Sequence, residues 1–112
     1  MSTSPDVAKV PAIFEHLAAE GQVALLRNRS GVFEIDIEDD GGRWFLNLDH
    51  GTPSMVAKVD HPDCVIVCSA SDFVAIAEGN QNMVAAFLQG RVVLTGDLAF
   101  AIDFRRLLPV AA

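Results

Sequence analysis

The side chains best suited to chemistry sit in a few short runs. His61, Cys64 and Cys68 fall within HPDCVIVC, and together they have the donor types of a metal site. The spacing argues against one. CVIVC is short and β-branched and reads as a strand. Residues four apart on a strand share a face but stand ~13 Å apart at ~3.3 Å per residue. That span is too long for a disulfide, and no fourth ligand follows at a zinc-like interval. Both cysteines are expected to be small buried hydrophobes in a reducing compartment. The pairs Asp49-His50 and Asp60-His61 suggest acid–base work. Neighbours on a strand point to opposite faces, so neither pair is expected to form a dyad. Asp39-Asp40-Gly41-Gly42 lacks the further ligands of a calcium loop and reads as a solvated hairpin turn. The chain has no Gly-x-Ser-x-Gly elbow and no phosphate-binding glycine loop. These residues give no reason to expect an enzyme, a metal or a cofactor.

The elements that hold these residues follow from periodicity. Val10, Ile13, Phe14 and Leu17 recur at helical spacing, with Pro11 in the first turn and Gly21 as a stop. Val23 to Arg27 adds a short helical turn. Phe33, Ile35 and Ile37 then alternate with Glu34, Asp36 and Glu38, a strand with one buried face. Across the Asp-Gly turn, Trp44, Leu46 and Leu48 alternate with Phe45, Asn47 and Asp49. His50 to Pro53 is the next turn, Met55 to Val59 a third strand and Cys64 to Cys68 a fourth. The fourth is apolar on both faces, so it is expected to lie centrally and be covered on both sides. Ser69 or Ser71 caps a helix holding Phe73 and Ile76. Asn80 or Asn82 caps a second helix, MVAAFLQ, closed by Gly90. RVVLTGD is a fifth strand, and Leu98 to Leu108 is a terminal amphipathic helix ended by Pro109. Strands and helices are segregated, which predicts an α+β fold with a five-stranded, largely antiparallel sheet covered by about four helices.

The chain has 112 residues, 51% of them hydrophobic and 21% charged, which is one domain's worth and not a disordered chain. Residues 1–112 are expected to form that single domain. Fifteen acids against eight bases give a net charge of −7, and the only adjacent basic pair is Arg105-Arg106. That balance repels phosphate backbones and predicts no nucleic-acid partner. Docking to anionic membranes is expected to be weak or absent for the same reason. The start, MSTSPDVAKV, and the end, LLPVAA, carry no recognisable secretory, peroxisomal or lipid-anchor signal, so a cytoplasmic protein is expected.

The stretch NMVAAFLQGRVVLTGDLAFAIDFRRLL resembles the C-terminal signature of the sterol carrier protein-2 family, the sterol-binding domain. The matching residues are Ala86, Phe87, Leu88, Gln89, Gly90 and Arg91, then Gly96, Asp97 and Leu98. Upstream, Trp44 with the following FLNLD, and Ser71-Asp72-Phe73 with Gly79, resemble the family's earlier motifs. The resemblance covers roughly Trp44 to Leu108 and is most specific from Gly79 onward. It implies a hydrophobic tunnel between sheet and helices holding one lipid-like ligand: a fatty acid, fatty acyl-CoA, sterol or phospholipid. It implies no catalytic residues and no cofactor. Typical members are lysine-rich in the strand after Gln-Gly, whereas here that strand is RVVLTG. The positions carried over as lipid-binding are Trp44, Leu46, Ile66, Met83, Phe87, Leu88, Gln89, Phe100, Phe104 and Leu107. Gln89 is the polar member, placed to hydrogen-bond a head group, and the last helix is placed to act as a lid.

A void of ~300 Å³ left empty would cost about 7 kcal/mol at ~24 cal/mol per Å³. That rivals the whole stability of such a domain, roughly 5–15 kcal/mol. The pocket is therefore expected to collapse without ligand or to be filled on purification. Two alternatives belong to other classes. One is an accessory module that presents a lipid to, or binds, a separate lipid-modifying enzyme. The other is a small flavin-binding enzyme built on the strand-rich middle.

Overall fold

The computed structural model describes residues 5–108. After a 3₁₀ turn at Val7–Lys9, helix α1 spans Val10–Ala19 with Pro11 in its first turn. Proline is tolerated there because the first helical N–H groups have no intrahelical acceptor. Val10, Phe14 and Leu17 form its buried face. The expected short turn is a 3₁₀ helix at Ala24–Leu26.

Strands β1 (Gly31–Ile37) and β2 (Gly42–Asp49) form the expected hairpin. Its turn does more than face solvent: Asp39 Oδ1 accepts a hydrogen bond from Ala70 N at 2.9 Å. Strand β3 is Thr52–Val56, not Met55 to Val59. The β2–β3 turn uses only His50 and Gly51, both at positive φ (48° and 84°), the pattern of a two-residue hairpin loop. Gly51 is required there, because a Cβ would stand 2.8 Å from the Val23 carbonyl oxygen. Pro53 can then sit inside the strand because β3 is an edge.

Strand β4 is Cys64–Cys68 and β5 is Val93–Gly96, giving the order β3-β2-β1-β4-β5. Every pairing is antiparallel except β1 with β4, which is parallel. The sheet is therefore mixed, and β1 rather than β4 is its middle strand. Coverage of β4 is also one-sided. Cys64, Ile66 and Cys68 are buried while Val65 and Val67 are half-buried. Residues 57–63 leave β3 level with Glu34 and enter β4 level with Phe33. Burial, then the neighbouring Asp36, raises the Glu34 pKa, and Arg43 and Lys58 oppose that rise.

Helix α2 (Ala70–Ala77) is capped by Ser69, whose Oγ accepts from Asp72 N at 3.0 Å. Helix α3 (Met83–Leu88) is capped by Asn82, accepting from Ala85 N at 3.0 Å. Helix α4 (Leu98–Asp103) is capped by Asp97, accepting from Phe100 N at 3.1 Å. The expected long terminal helix tightens after Asp103 into a 3₁₀ turn, Phe104–Leu107. Pro109, its expected stop, lies outside the described residues. The core fills the space between the helices and the sheet face carrying Phe33, Ile35, Leu46, Leu48, Cys64 and Ile66.

Candidate lipid site between sheet and helices

A seam of aromatic rings runs through this interlayer space. Trp44 stacks on Phe14 with centroids 4.7 Å apart, and Phe14 stacks on Phe73 at 5.1 Å. Phe73 faces Phe104 at 6.3 Å, Phe104 meets Phe33 edge-on at 5.4 Å, and Phe33 stacks on Phe100 at 4.2 Å. The seam joins β2, α1, α2, the last 3₁₀ turn, β1 and α4, so almost every layer contributes one ring. Stacked and edge-on pairs add modestly to simple area burial. The polar ends are satisfied: Trp44 Nε1 donates to the Gly41 carbonyl at 2.7 Å.

Local backbone features set the seam. Gly31 lets the Phe100 ring lie against β1, since a Cβ there would meet Phe100 Cζ and Asp63 Oδ2, each at 2.8 Å. Arg29 holds α4 from the other side. Its Nε donates to Asp103 Oδ2 at 2.6 Å, and its guanidinium lies 5.6 Å from the Phe100 ring centre. Asp63 ties β1 to the start of β4 by accepting from Val32 N at 2.7 Å.

The carried-over positions fall into two groups. Leu46, Ile66, Met83, Phe100, Phe104 and Leu107 are buried in the shared core, and Trp44 and Phe87 are partly buried against it. Leu88 is 77% exposed and Gln89 is exposed as well, so neither is brought to the seam. Helix α3 explains this. It is six residues long, turns Met83 and Ala86 inward, and leaves Leu88 and the cap Gln89 on the outside. Phe14, Phe33 and Phe73 bridge the selected residues and were not selected. Their signal was present, because each lies on the apolar face of its helix or strand.

These rings pack against one another in the interlayer space. Hollows are found at other positions among the described residues. One of about 530 Å³ is lined by Ala8, Ala12, Ile13, His16, Ala77 and the ion-paired Lys9 and Glu78. Another of about 310 Å³ is lined by Leu25, Arg105, Arg106 and Leu108.

The chemistry-bearing residues take separate places in the fold. Burial, reinforced by Asp63 and Asp97, pushes the Cys64 thiol up to about 12. Burial, then Asp72, Glu38 and Asp39, pushes Cys68 to about 12 as well. Thiols so placed are inert at neutral pH. Asp49 and His50 do meet, contrary to the strand-parity argument, with Oδ1 and Nδ1 2.7 Å apart. His50 has left the strand at positive φ, which swings its ring back. Both side chains are about three-quarters exposed, and the Ser30 hydroxyl beside them accepts from the His50 backbone N–H. Among the described residues no three His, Cys, Asp or Glu are grouped to hold a metal ion, and no helix is long and apolar enough to cross a membrane.

A mixed five-stranded sheet with helices over one face and an aromatic-lined apolar interior defines a sterol-carrier-type α+β domain. The match to known proteins agrees: the SCP-2 sterol transfer family matches residues 12–109, and the chain belongs to that family. It is 29% identical to human sterol carrier protein 2 over 115 residues, covering 95% of this chain and 21% of that protein. It is 30% identical to mouse hydroxysteroid dehydrogenase-like protein 2 over 92 residues, covering 75% of this chain and 18% of that protein. The chain thus spans about a fifth of the length of these curated relatives. The solution structure of palmitated SCP2L2 from Aedes aegypti superposes with a TM-score of 0.64 at 19% identity, covering 96% of each chain. The five-stranded fold with about four helices is accordingly that of the family.

Proposed function

We propose that this chain is a non-enzymatic lipid-binding domain. A fatty acid, fatty acyl-CoA, sterol or phospholipid places its apolar part between the sheet and the helices. The observation that carries the reading is the ring seam from Trp44 to Phe100, which makes the interlayer space apolar along its length. Ala77, Ala86 and Ala101 are small buried side chains of the same core. Family membership supports the same conclusion, as does the palmitate named for the insect structure.

The tunnel opens by displacement of the rings. Phe100, Phe104 and Leu107 move with the terminal segment, which acts as the lid. Leu46 and Ile66 form the sheet-side floor, Met83 and Phe87 the α3 wall, and Trp44 the far end. Leu88 and Gln89 stand at the rim. The driving force is transfer of alkyl surface from water, about 0.8 kcal/mol per buried CH₂. A chain of about a dozen methylenes supplies about 10 kcal/mol gross, from which the association costs are subtracted.

Native mass spectrometry of the purified protein, followed by organic extraction and lipid identification, tests the reading. A stoichiometric lipid, or uptake of added fatty acid with a change in Trp44 emission, is expected. Absence of both, with no rise in melting temperature, contradicts it. A second reading is an accessory domain serving a lipid-modifying enzyme. The matching stretch is 18% of a hydroxysteroid dehydrogenase-like relative, so a domain of this kind occurs within a larger protein of that name. A stable protein complex in the same spectra, without carried lipid, would support that second reading over the first.

A further inference from the structure

The chain's cations are unevenly placed. Lys9 pairs with Asp6 and Glu78, Arg43 with Glu34 and Asp36, and Arg91 with Asp72. The remaining arginines gather at one end of the molecule. Residues 24–30 carry Arg27 and Arg29, residues 98–108 carry Arg105 and Arg106, and Asp103 is the single acid in these two segments. The Arg29–Asp103 pair brings the segments together. Among the described residues, Arg27, Arg105 and Arg106 make no ion pair. In a chain of net charge −7, this is a local excess of positive charge among the described residues.

The same end has an apolar wall. Leu25 is 75% exposed, and with Leu108, Arg105 and Arg106 it lines the hollow of about 310 Å³. The turn Phe104–Leu107 separates this hollow from the core. Arg105 and Arg106 are on its outer side, while Phe104 and Leu107 are buried on its inner side. Cationic donors outside and ring-lined apolar space inside, one turn of chain apart, match the two ends of an amphiphile. A 3₁₀ turn is also a weakly bonded element that can be displaced.

We propose that the hollow lined by Leu25, Arg105, Arg106 and Leu108 seats the oxyanion head group, carboxylate or phosphate, of an acyl amphiphile whose chain enters beside Phe104 and Leu107. This inference rests on the lipid-binding reading and narrows it: anionic acyl lipids are favoured over uncharged sterols. Guanidinium groups suit both head groups because their fork of donors matches planar and tetrahedral oxyanions. Leu25 and Leu108 give the hollow an apolar wall beside the two guanidinium groups.

The test compares palmitate, hexadecyl phosphate and 1-hexadecanol, which share a chain length and differ in head charge, using Trp44 emission and calorimetry. The unsubstituted protein is expected to bind the two anions about tenfold more tightly than the alcohol, about 1.4 kcal/mol. Arg105→Gln with Arg106→Gln is expected to abolish that preference by weakening binding of both anions about tenfold relative to the alcohol. The Arg105→Lys, Arg106→Lys variant is expected to retain part of it, which separates loss of charge from loss of fold. Equal binding of anions and alcohol, or a preference that survives the Gln variant, overturns the head-group site and leaves the lipid reading standing. Failure of all three amphiphiles to bind overturns both. Inorganic phosphate binding as tightly as hexadecyl phosphate would make this a free-anion site and overturn the proposal. So would Arg-dependent binding to anionic vesicles without any preference among the soluble amphiphiles.

Discussion

Phe33 and Phe100 stack with centroids 4.2 Å apart and planes inclined by 7°, which joins the middle strand of the sheet to the terminal helix through one ring pair. Whatever enters the interlayer space has to loosen this pair or pass beside it. Removing the helix-side ring tests how much of the fold depends on it. Phe100→Ala is expected to lower the unfolding free energy by about 3–5 kcal/mol, the range for deleting a buried aromatic side chain, measured by urea denaturation. A loss under about 1 kcal/mol would mean that the stack contributes little.

Gly31 gives an independent check on the same contact. Gly31→Ala puts a methyl group 2.8 Å from Phe100 Cζ and from Asp63 Oδ2, so an overpacking cost of about 1–3 kcal/mol is expected. Combining it with Phe100→Leu should cost less than the sum of the two changes, because both act on one contact. Strict additivity in the double-mutant cycle would show that the methyl group strains something else.

Much of this arrangement was readable from residue patterns. Alternation at Phe33, Ile35, Ile37 and at Trp44, Leu46, Leu48 defined the buried sheet face, and two candidate caps for each helix, Ser69 or Ser71 and Asn80 or Asn82, placed α2 and α3, with the structure selecting Ser69 and Asn82. Strand parity does not say which strand lies beside which. The parallel pairing of β4 with β1, and the one-sided cover of Val65 and Val67, therefore came only from the structure. The β3 boundary slipped because Pro53 looked like part of a turn, when an edge strand accommodates it. At the site, buried positions such as Ile66 and Phe104 followed from periodicity. Leu88 and Gln89 did not, because α3 turns Met83 and Ala86 inward and that phase leaves its last residue and its cap outside. The Arg105-Arg106 pair was visible in the sequence, but its partnership with Leu25 and the 24–30 segment is a tertiary fact.

The cysteines give a pH signature. Each thiol titrates near 9.0 in an unfolded chain and at about 12 in the folded one. Between those values the unfolded state has released protons that the native state still holds. Their contribution to stability is complete below about pH 9 and falls as pH rises toward 12. Urea midpoints are expected to drop more steeply above pH 9 in the parent than in Cys64→Ala with Cys68→Ala. At pH 8 a thiol reagent should label these residues only on unfolding. Fast labelling of the native protein would contradict their burial.

Helix α3 depends on its cap. Asn82→Ala removes the acceptor for Ala85 N and is expected to cost about 1 kcal/mol, seen as a lower melting temperature. Asn82→Asp should restore most of it, since a carboxylate caps as well as an amide. If Asp fails to restore what Ala removes, the Asn82 side chain has another role.

The central claim is that the ligand lies between the layers. Side-chain NMR during a titration with palmitate tests it most directly. The account predicts that the largest shifts fall on the rings of Phe33, Phe73, Phe100 and Phe104 and on the methyl groups of Ile66, Met83 and Leu107. Shifts confined to outer positions such as Ala12, Ile13, Val65 and Val93, with the ring seam unperturbed, would contradict it.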